Sequence, residues 1–273
     1  MVSFPNCKIN IGLQILNKRA DGFHNLQTIF YPIALKDAVE VITAKQQENQ
    51  VDFSSTGIKI DADADQNLCI RAYQLLKKDF PQLPSVKIHL HKNIPIGAGL
   101  GGGSADAACT LQLLNDTYSL ELSDESLKKY SSILGSDVAF FIENSPCVAT
   151  GRGETLTRIS LNLSMYQILI VFPGIHINTG WAFSQLSPLQ NKSAQLDTAW
   201  QKPVADWKNN ISNDFEKVVF TKYPDIEYIK NKFYENGALY ASMSGSGSSV
   251  YGIFEKEMTP QINFPKHYFY KWV

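Results

Sequence analysis

The chain has 273 residues, of which 44% are hydrophobic and 19% are charged, and its formal net charge is −1. This length and composition predict a sizeable buried core in one large or two modest domains. Because lysine and arginine are scattered rather than clustered, we expect no surface that binds nucleic acid or a membrane. We also expect no secretory signal and no bilayer-spanning segment, since no apolar run is long enough.

The four cysteines, Cys7, Cys69, Cys109 and Cys147, are widely spaced and form no Cys-x-x-Cys pair. This spacing argues against a zinc site and favours reduced thiols. We therefore expect a soluble protein of the cytoplasm.

The first half of the chain mixes strands and helices. Alternating apolar residues predict strands over residues 8–15 and 37–42. Residues 17–22 between them contain Asp-Gly and predict a turn. Apolar residues that recur on one side predict an amphipathic helix over residues 67–80, and Pro81 ends it.

Further elements follow in the same irregular order. Alternation predicts a strand over 86–91, and a strong helix pattern runs over 104–114, directly after a glycine-rich loop. Later predictions are helices over 124–130, 211–223 and 225–235 and strands over 166–172, 240–243 and 249–254. Because strands and helices do not alternate regularly, the fold class is predicted to be α+β.

The glycine-rich loop is the strongest functional signal. Gly97, Gly99, Gly101, Gly102 and Gly103 lie within seven residues, just before the predicted helix. Glycine lets the backbone approach a ligand closely, and a helix N-terminus attracts anions. The loop therefore predicts a phosphate site, with a purely structural turn as the alternative.

Two common phosphate motifs fit this loop poorly. A P-loop requires Lys after the last glycine, whereas Ser104 follows Gly103 here. The spacing of Gly97, Gly99 and Gly102 matches the dinucleotide fingerprint formally. Its expected acid, Glu121, follows a helix and a turn rather than a strand, so a dinucleotide-dependent oxidoreductase is the weaker alternative.

Three motifs in order resemble those of the GHMP small-molecule kinases. Residues 5–13 read Pro-Asn-Cys-Lys-Ile-Asn-Ile-Gly-Leu, the glycine-rich loop begins at Pro95, and residues 242–248 read Ser-Met-Ser-Gly-Ser-Gly-Ser. The resemblance covers roughly residues 3–254. Residues 18–24 and 134–138 are most similar to those of members that phosphorylate the C2 hydroxyl of 4-diphosphocytidyl-2-C-methyl-D-erythritol, in the non-mevalonate isoprenoid pathway.

The resemblance implies a two-lobed α+β fold. Its N-terminal lobe, resembling domain 2 of ribosomal protein S5, is expected over residues 1–158 and would bind the ATP phosphates and carry the catalytic residues. A ferredoxin-like C-terminal lobe is expected over residues 159–273. The implied cofactors are ATP and Mg²⁺, and the implied partner is a small nucleotide-diphosphate alcohol; the oligomeric state stays open.

The same resemblance assigns the catalytic residues. It makes Asp137 the general base toward the substrate hydroxyl and Lys8 the cation that keeps it ionised. Without the resemblance, Asp137 would be read as the N-cap of residues 138–142, and Lys8 as an edge-strand lysine. Asn10 lies on the strand face of Lys8 by two-residue alternation and is expected to orient the substrate.

Nucleotide binding is assigned to the loop and its surroundings. Ser104 is a natural N-cap, to which the resemblance adds a phosphate or magnesium role, and Asn67 lines the adenine pocket or caps its helix. Gly245 and Gly247 support the loop or form a plain hairpin. The expected ATP-binding residues are Asn67, Pro95, Ile96, Gly97, Ala98, Gly99, Leu100, Gly101, Gly102, Gly103, Ser104 and Ala105.

The resemblance places cytosine recognition at four residues. Phe23 and His24 form one side of the base site, Phe183 supplies a stacking aromatic, and Thr179 is its polar neighbour. The alternative for Phe183 is a surface-helix aromatic packed on the core. Rival functions are a sister kinase of the homoserine or mevalonate type and a catalytically silent nucleotide-binding protein, against which Lys8 and Asp137 argue.

Overall fold

The computed structural model describes residues 1–45, 51–60, 66–186, 196–258 and 260–273. These form two compact units. The first unit comprises Met1–Cys7, Ala34–Ile96 and Gly101–Ser145, and the second comprises Lys8–Ile33, Gly97–Leu100 and Pro146–Val273. Each unit is therefore discontinuous in sequence, and the predicted division between residues 158 and 159 stays a prediction.

The strands and helices alternate irregularly along the described residues, as an α+β fold requires. The strands are β1 Val2–Ser3, β2 Asn6–Lys18, β3 His24–Lys36, β4 Ala38–Thr43, β5 Val51–Gly57, β6 Val86–Lys92, β7 Cys147–Thr150, β8 Thr155–Arg158, β9 Tyr166–Phe172, β10 Tyr240–Met243, β11 Val250–Glu255 and β12 Phe269–Trp272. The helices are α1 Leu68–Asp79, α2 Gly102–Tyr118, α3 Asp124–Leu134, α4 Phe140–Glu143, α5 Thr179–Ser184, α6 Leu196–Ala199, α7 Trp207–Asn210, α8 Glu216–Lys222 and α9 Pro224–Glu235.

The first unit is built on a sheet with strand order β1-β4-β6-β5. Its pairs are antiparallel except β5–β6, which is parallel. Val86, Ile88 and Leu90 of β6 are buried on one face because successive side chains of a strand alternate. Helix α2 is buried over most of its length, as its apolar sequence predicts.

The second unit contains two antiparallel sheets, ordered β2-β3-β7-β8 and β10-β11-β9-β12. Apolar residues of β2, β9 and β11 share one core with helices α8 and α9. In this core, Leu13 of β2 clusters with Val171 of β9 and Phe233 of α9. This shared core fixes β2 relative to the C-terminal sheet within the unit.

Local sequence signals predicted most of these elements correctly. Strand β9 has its predicted bounds, and Asn67 caps α1 because its Oδ1 accepts the N–H groups of Cys69 and Ile70. The turn between β2 and β3 closes through the Arg19 N–H and the Phe23 carbonyl at 2.7 Å. No helix in the described ranges is long and apolar enough to cross a membrane.

Two predicted helix starts are wrong. Helix α8 begins at Glu216 rather than at residue 211, because Ile211 is extended and Asn213 forms a parallel bridge with Leu13. Helix α2 begins at Gly102, so its N-cap is Gly101 and not Ser104. Ser104 lies inside the first turn, because the left-handed backbone of Gly101, with φ of 70°, already redirects the chain there.

Candidate active site

Strand β2 of the second unit holds a buried lysine beside a buried asparagine. Lys8 and Asn10 are each 3% exposed, and the Lys8 ammonium donates a hydrogen bond to Asn10 Oδ1. Lys8 Nζ also lies 4.5 Å from the ring centroid of Phe30. The side chains of Lys8 and Asn10 therefore share one face of the strand, as the alternation predicted.

The first part of the glycine-rich loop, Gly97–Leu100, is held by backbone hydrogen bonds within the same unit. The Lys8 N–H donates to the Leu100 carbonyl at 3.0 Å, and the Ser249 N–H donates to the Ala98 carbonyl at 3.1 Å. These bonds fix the loop between β2 and the start of β11. Its conformation is therefore set by residues far away in the sequence.

One serine connects all three sequence motifs. Ser244 Oγ accepts the N–H of Asn10 at 3.1 Å and donates to the Gly99 carbonyl at 2.9 Å. Asn10 Nδ2 donates in turn to Thr28 Oγ1 at 3.0 Å. The N-terminal motif, the glycine-rich loop and the C-terminal motif are therefore in direct contact.

Two glycines are required at this contact. Gly99 has a φ of 84°, and a Cβ there would overlap the Ser244 carbonyl oxygen. A Cβ on Gly247 would overlap the Gly99 nitrogen and the Ala98 carbonyl carbon. Residues 244–248 therefore support the loop closely, as predicted for Gly245 and Gly247.

The second part of the loop belongs to the first unit and opens helix α2. The first hydrogen bond of the helix runs from the Ala105 N–H to the Gly101 carbonyl at 2.9 Å. The N–H groups of Gly102, Gly103 and Ser104 come before this first bond, and Gly101 has no side chain that could cap them. Such uncapped N–H groups at a helix start favour an anion, and the first turn carries no acidic side chain.

The predicted aromatic residues of the second unit lie at one corner. His24 stacks on Phe183 with ring centroids 4.9 Å apart and an interplanar angle of 13°, and Phe183 also meets Phe215 edge-on. Phe183 therefore packs on the core, as its alternative reading expected, and its role as a stacking ring for cytosine stays a prediction. Burial, followed by the charge of Lys18, lowers the pKa of His24, which favours the neutral imidazole.

Two further predicted residues border this corner. Phe23 is 54% exposed, and the guanidinium of Arg152 lies 4.9 Å from its ring centroid. Thr179 Oγ1 is 2.8 Å from Ser246 Oγ, which connects the start of α5 to residues 244–248. Helix α5 begins at Thr179 because Asn178 Oδ1 accepts the Trp181 N–H at 2.8 Å.

Asp137 lies in a turn of the first unit and does not cap a helix. Helix α4 begins at Phe140 with Ala139 as its N-cap, so the alternative reading of Asp137 as an N-cap is wrong. Asp137 is half-buried and lies in the segment that connects α3 to α4. Because Lys8 belongs to the other unit, the pairing of Lys8 with Asp137 stays a prediction.

Comparison with known proteins decides among the functions left open by the sequence. The family model for the GHMP kinase N-terminal domain matches residues 67–145, and the model for the C-terminal domain matches residues 201–262. A 4-diphosphocytidyl-2-C-methyl-D-erythritol kinase from Bacteroides fragilis is 49% identical over 257 residues, covering 94% of this chain and 93% of that protein. The chain belongs to the GHMP kinase family.

Other GHMP kinases agree with this assignment. The kinase of the same name from Azobacteroides pseudotrichonymphae is 47% identical and covers 98% of this chain and 100% of that protein. A crystal structure of 4-(cytidine 5'-diphospho)-2C-methyl-D-erythritol kinase is 29% identical, with a TM-score of 0.80, covering 93% of this chain and 90% of that one. The mevalonate kinase of Methanococcus jannaschii, at 16% identity and a TM-score of 0.68, shows the shared fold alone.

Membership of the GHMP kinases removes the oxidoreductase alternative. The alternative needed Glu121 at the end of a strand, but Glu121 lies between α2 and α3 with a φ of 58°. Gly97, Gly99 and Gly102 therefore match the dinucleotide fingerprint only formally.

A buried charge cluster beneath α2 is marked by no sequence motif. Lys92 Nζ donates to Asp37 Oδ2 and, at 2.9 Å, to Asp106 Oδ2, and all three side chains are at most 4% exposed. Burial raises the pKa of Asp106 to about 7, although Lys92 opposes the shift. Burial would lower the pKa of Lys92, but Asp106 and Asp37 raise it above its usual value.

Two sequence signals could have revealed this cluster. Lys92 continues the inward-facing series of Val86, Ile88 and Leu90, so alternation places its side chain on the buried face. Asp106 lies between two alanines in an apolar helix, and a buried carboxylate needs a partner.

Within the described ranges, no three His, Cys, Asp or Glu side chains lie close enough together to hold a metal ion. Mg²⁺ commonly keeps several water ligands and binds substrate phosphates with only one or two carboxylates. A dedicated protein cage is therefore not required here.

Proposed function

We propose that this chain transfers the γ-phosphoryl group of ATP to the C2 hydroxyl of 4-diphosphocytidyl-2-C-methyl-D-erythritol, a step of the non-mevalonate isoprenoid pathway. The observation that carries the proposal is near full-length similarity, at 40–49% identity, to kinases named for this substrate. The contact of Asn10, Gly99 and Ser244 supports it, because it joins the three motifs in one unit.

Phosphate binding falls to the loop and helix α2. Residues 95–105 line the phosphate site, and the uncapped backbone N–H groups of residues 102–104 bind the ATP phosphates. Mg²⁺, bound through those phosphates, would neutralise charge that develops during transfer. Asn67, whose Oδ1 caps α1, is the proposed neighbour of the adenine ring.

Proton removal falls to Asp137. Its carboxylate accepts the proton of the C2 hydroxyl, the hydroxyl oxygen forms the new bond to the γ-phosphorus, and the bond to the β-phosphate oxygen breaks to release ADP. The ammonium of Lys8, held by Asn10, stabilises negative charge at the reacting oxygen. Asn10 orients Lys8 and the substrate.

Cytosine recognition falls to the aromatic corner. His24 and Phe183 supply parallel rings, Phe23 an exposed one, and Thr179 a hydroxyl nearby. A neutral His24 offers both a donor and an acceptor to a nucleobase. A cytoplasmic location is part of this proposal, since the four buried cysteines form no disulfide.

A coupled ADP-release assay with different alcohols tests the substrate. We expect kcat/KM for the cytidylyl alcohol to exceed that for mevalonate or homoserine by at least about 100-fold, because those alcohols leave the base site empty. Preference for either small alcohol would contradict the substrate assignment. No ADP release above background with any alcohol would instead indicate a silent nucleotide-binding protein.

Replacing Phe183 by Leu tests the base site. Stacking on a nucleobase contributes about 1–3 kcal/mol, so we expect KM for the cytidylyl alcohol to rise about tenfold while KM for ATP stays within about twofold. Steady-state kinetics with each substrate varied in turn measures both values. Phe220→Leu, at another half-buried aromatic of the same unit, is the matched control. An equal rise in both KM values for Phe183→Leu would show a general packing defect.

A further inference from the structure

The buried charge cluster of Lys92, Asp37 and Asp106 lies directly beneath the start of α2. A Cβ built on Gly102 would be only 2.9 Å from Lys92 Nζ, so the ammonium lies against the first residue of the helix. Asp106 is on the next turn of the same helix. The cluster therefore lies under the N–H groups that the proposed function assigns to phosphate.

The two carboxylates of the cluster have different surroundings. Asp37 Oδ1 accepts the N–H groups of Asn93 at 2.6 Å and Ile94 at 2.8 Å, while its Oδ2 accepts Lys92. Asp106 Oδ1 is buried and has no hydrogen-bond partner in the part of the chain that the structure describes. Asp106 is thus the less compensated of the two charges.

A merely structural account explains this cluster poorly. Burying an ion pair costs about as much desolvation energy as the attraction returns, so apolar residues would stabilise this position equally well. Within a low-dielectric interior, however, charges act over longer distances than at the surface. Charges next to Gly102 therefore affect an anion bound at the start of α2.

We propose that Lys92 is a positioning residue for ATP: held between Asp37 and Asp106, it fixes the first turn of α2 and sets its electrostatic potential for phosphate. This proposal rests on phosphate binding by α2 in the proposed function. When both carboxylates are ionised, the cluster carries a net charge of −1. Its charge can be changed in either direction by single substitutions.

The test measures the affinity for Mg·ADP by calorimetry, without any alcohol, in the wild-type chain, three variants of the cluster and one control variant, at about pH 8.5, where both carboxylates are ionised. Lys92→Met makes the cluster more negative, Asp106→Asn makes it less negative, and the double variant returns it to the wild-type charge. We expect binding about tenfold weaker in Lys92→Met, equal or tighter in Asp106→Asn, and within about twofold of wild type in the double variant. Lys128→Met removes a lysine between two carboxylates elsewhere in the unit and should not change binding.

The order of affinities distinguishes the two accounts. A purely structural role predicts weaker binding in both single variants and the weakest in the double variant, and that result would overturn the proposal. If Lys92→Met does not fold, Asp106→Asn and the double variant still give opposite expectations under the two accounts. Because ADP binding needs no alcohol, failure of the substrate assignment would leave this test intact.

Discussion

Asp137→Asn is expected to lower kcat by about 10²- to 10⁴-fold, because the amide has nearly the shape of the carboxylate but cannot accept the hydroxyl proton. KM for ATP should stay within about threefold, since the ATP phosphates are assigned to the loop and α2. Coupled ADP release with the cytidylyl alcohol measures both quantities.

A matched variant separates this chemical effect from a change of charge alone. Asp124→Asn also removes a carboxylate from the first unit, but at the exposed first turn of α3, and should retain at least about half of the wild-type rate. Thermal unfolding of both variants shows whether either loses structure. If Asp137→Asn keeps the full rate, Asp137 is not the base.

Much of the fold could be predicted because its signals are local. The alternation in β6 and the apolar run of β9 fix these strands, and Asn67 with Pro81 fixes the two ends of α1. These features depend on side-chain periodicity, capping and the missing N–H of proline. None of them requires knowledge of a distant contact.

Other features could not be read from local sequence. The apolar residues near Ile211 suit a helix, but bridging of Asn213 to Leu13 keeps this segment extended. Ser104 has the right chemistry for an N-cap, but Gly101 reaches the left-handed conformation first. In both cases a tertiary contact or backbone geometry overrides side-chain preference.

The candidate site shows the same division. The glycine spacing alone indicates phosphate, but the contact of Gly99 with Ser244 joins positions 145 residues apart. Without the structure, only the family resemblance indicates that these motifs belong to one site. No motif marks the cluster of Lys92, Asp37 and Asp106. Only the alternation in β6 indicates that the Lys92 side chain is buried.

Gly99→Ala is expected to destabilise the protein by about 2–5 kcal/mol. The positive φ of 84° costs a side chain about 1–3 kcal/mol, and the overlap of the new Cβ with the Ser244 carbonyl adds a comparable packing cost. At about 2–4 °C per kcal/mol for a chain of this size, Tm should fall by about 4–20 °C, which thermal unfolding measures.

Gly103→Ala is the matched substitution in the same loop. Gly103 is helical and exposed, and the nearest atom to a new Cβ is Leu68 Cδ1 at 4.0 Å. Because Ala favours a helix over Gly by about 1 kcal/mol, Tm should stay constant or rise. A similar fall of Tm in both variants would mean that any side chain disturbs the loop. A fall in Gly99→Ala alone would locate the constraint at the Ser244 contact, where the loop of the second unit meets residues 244–248.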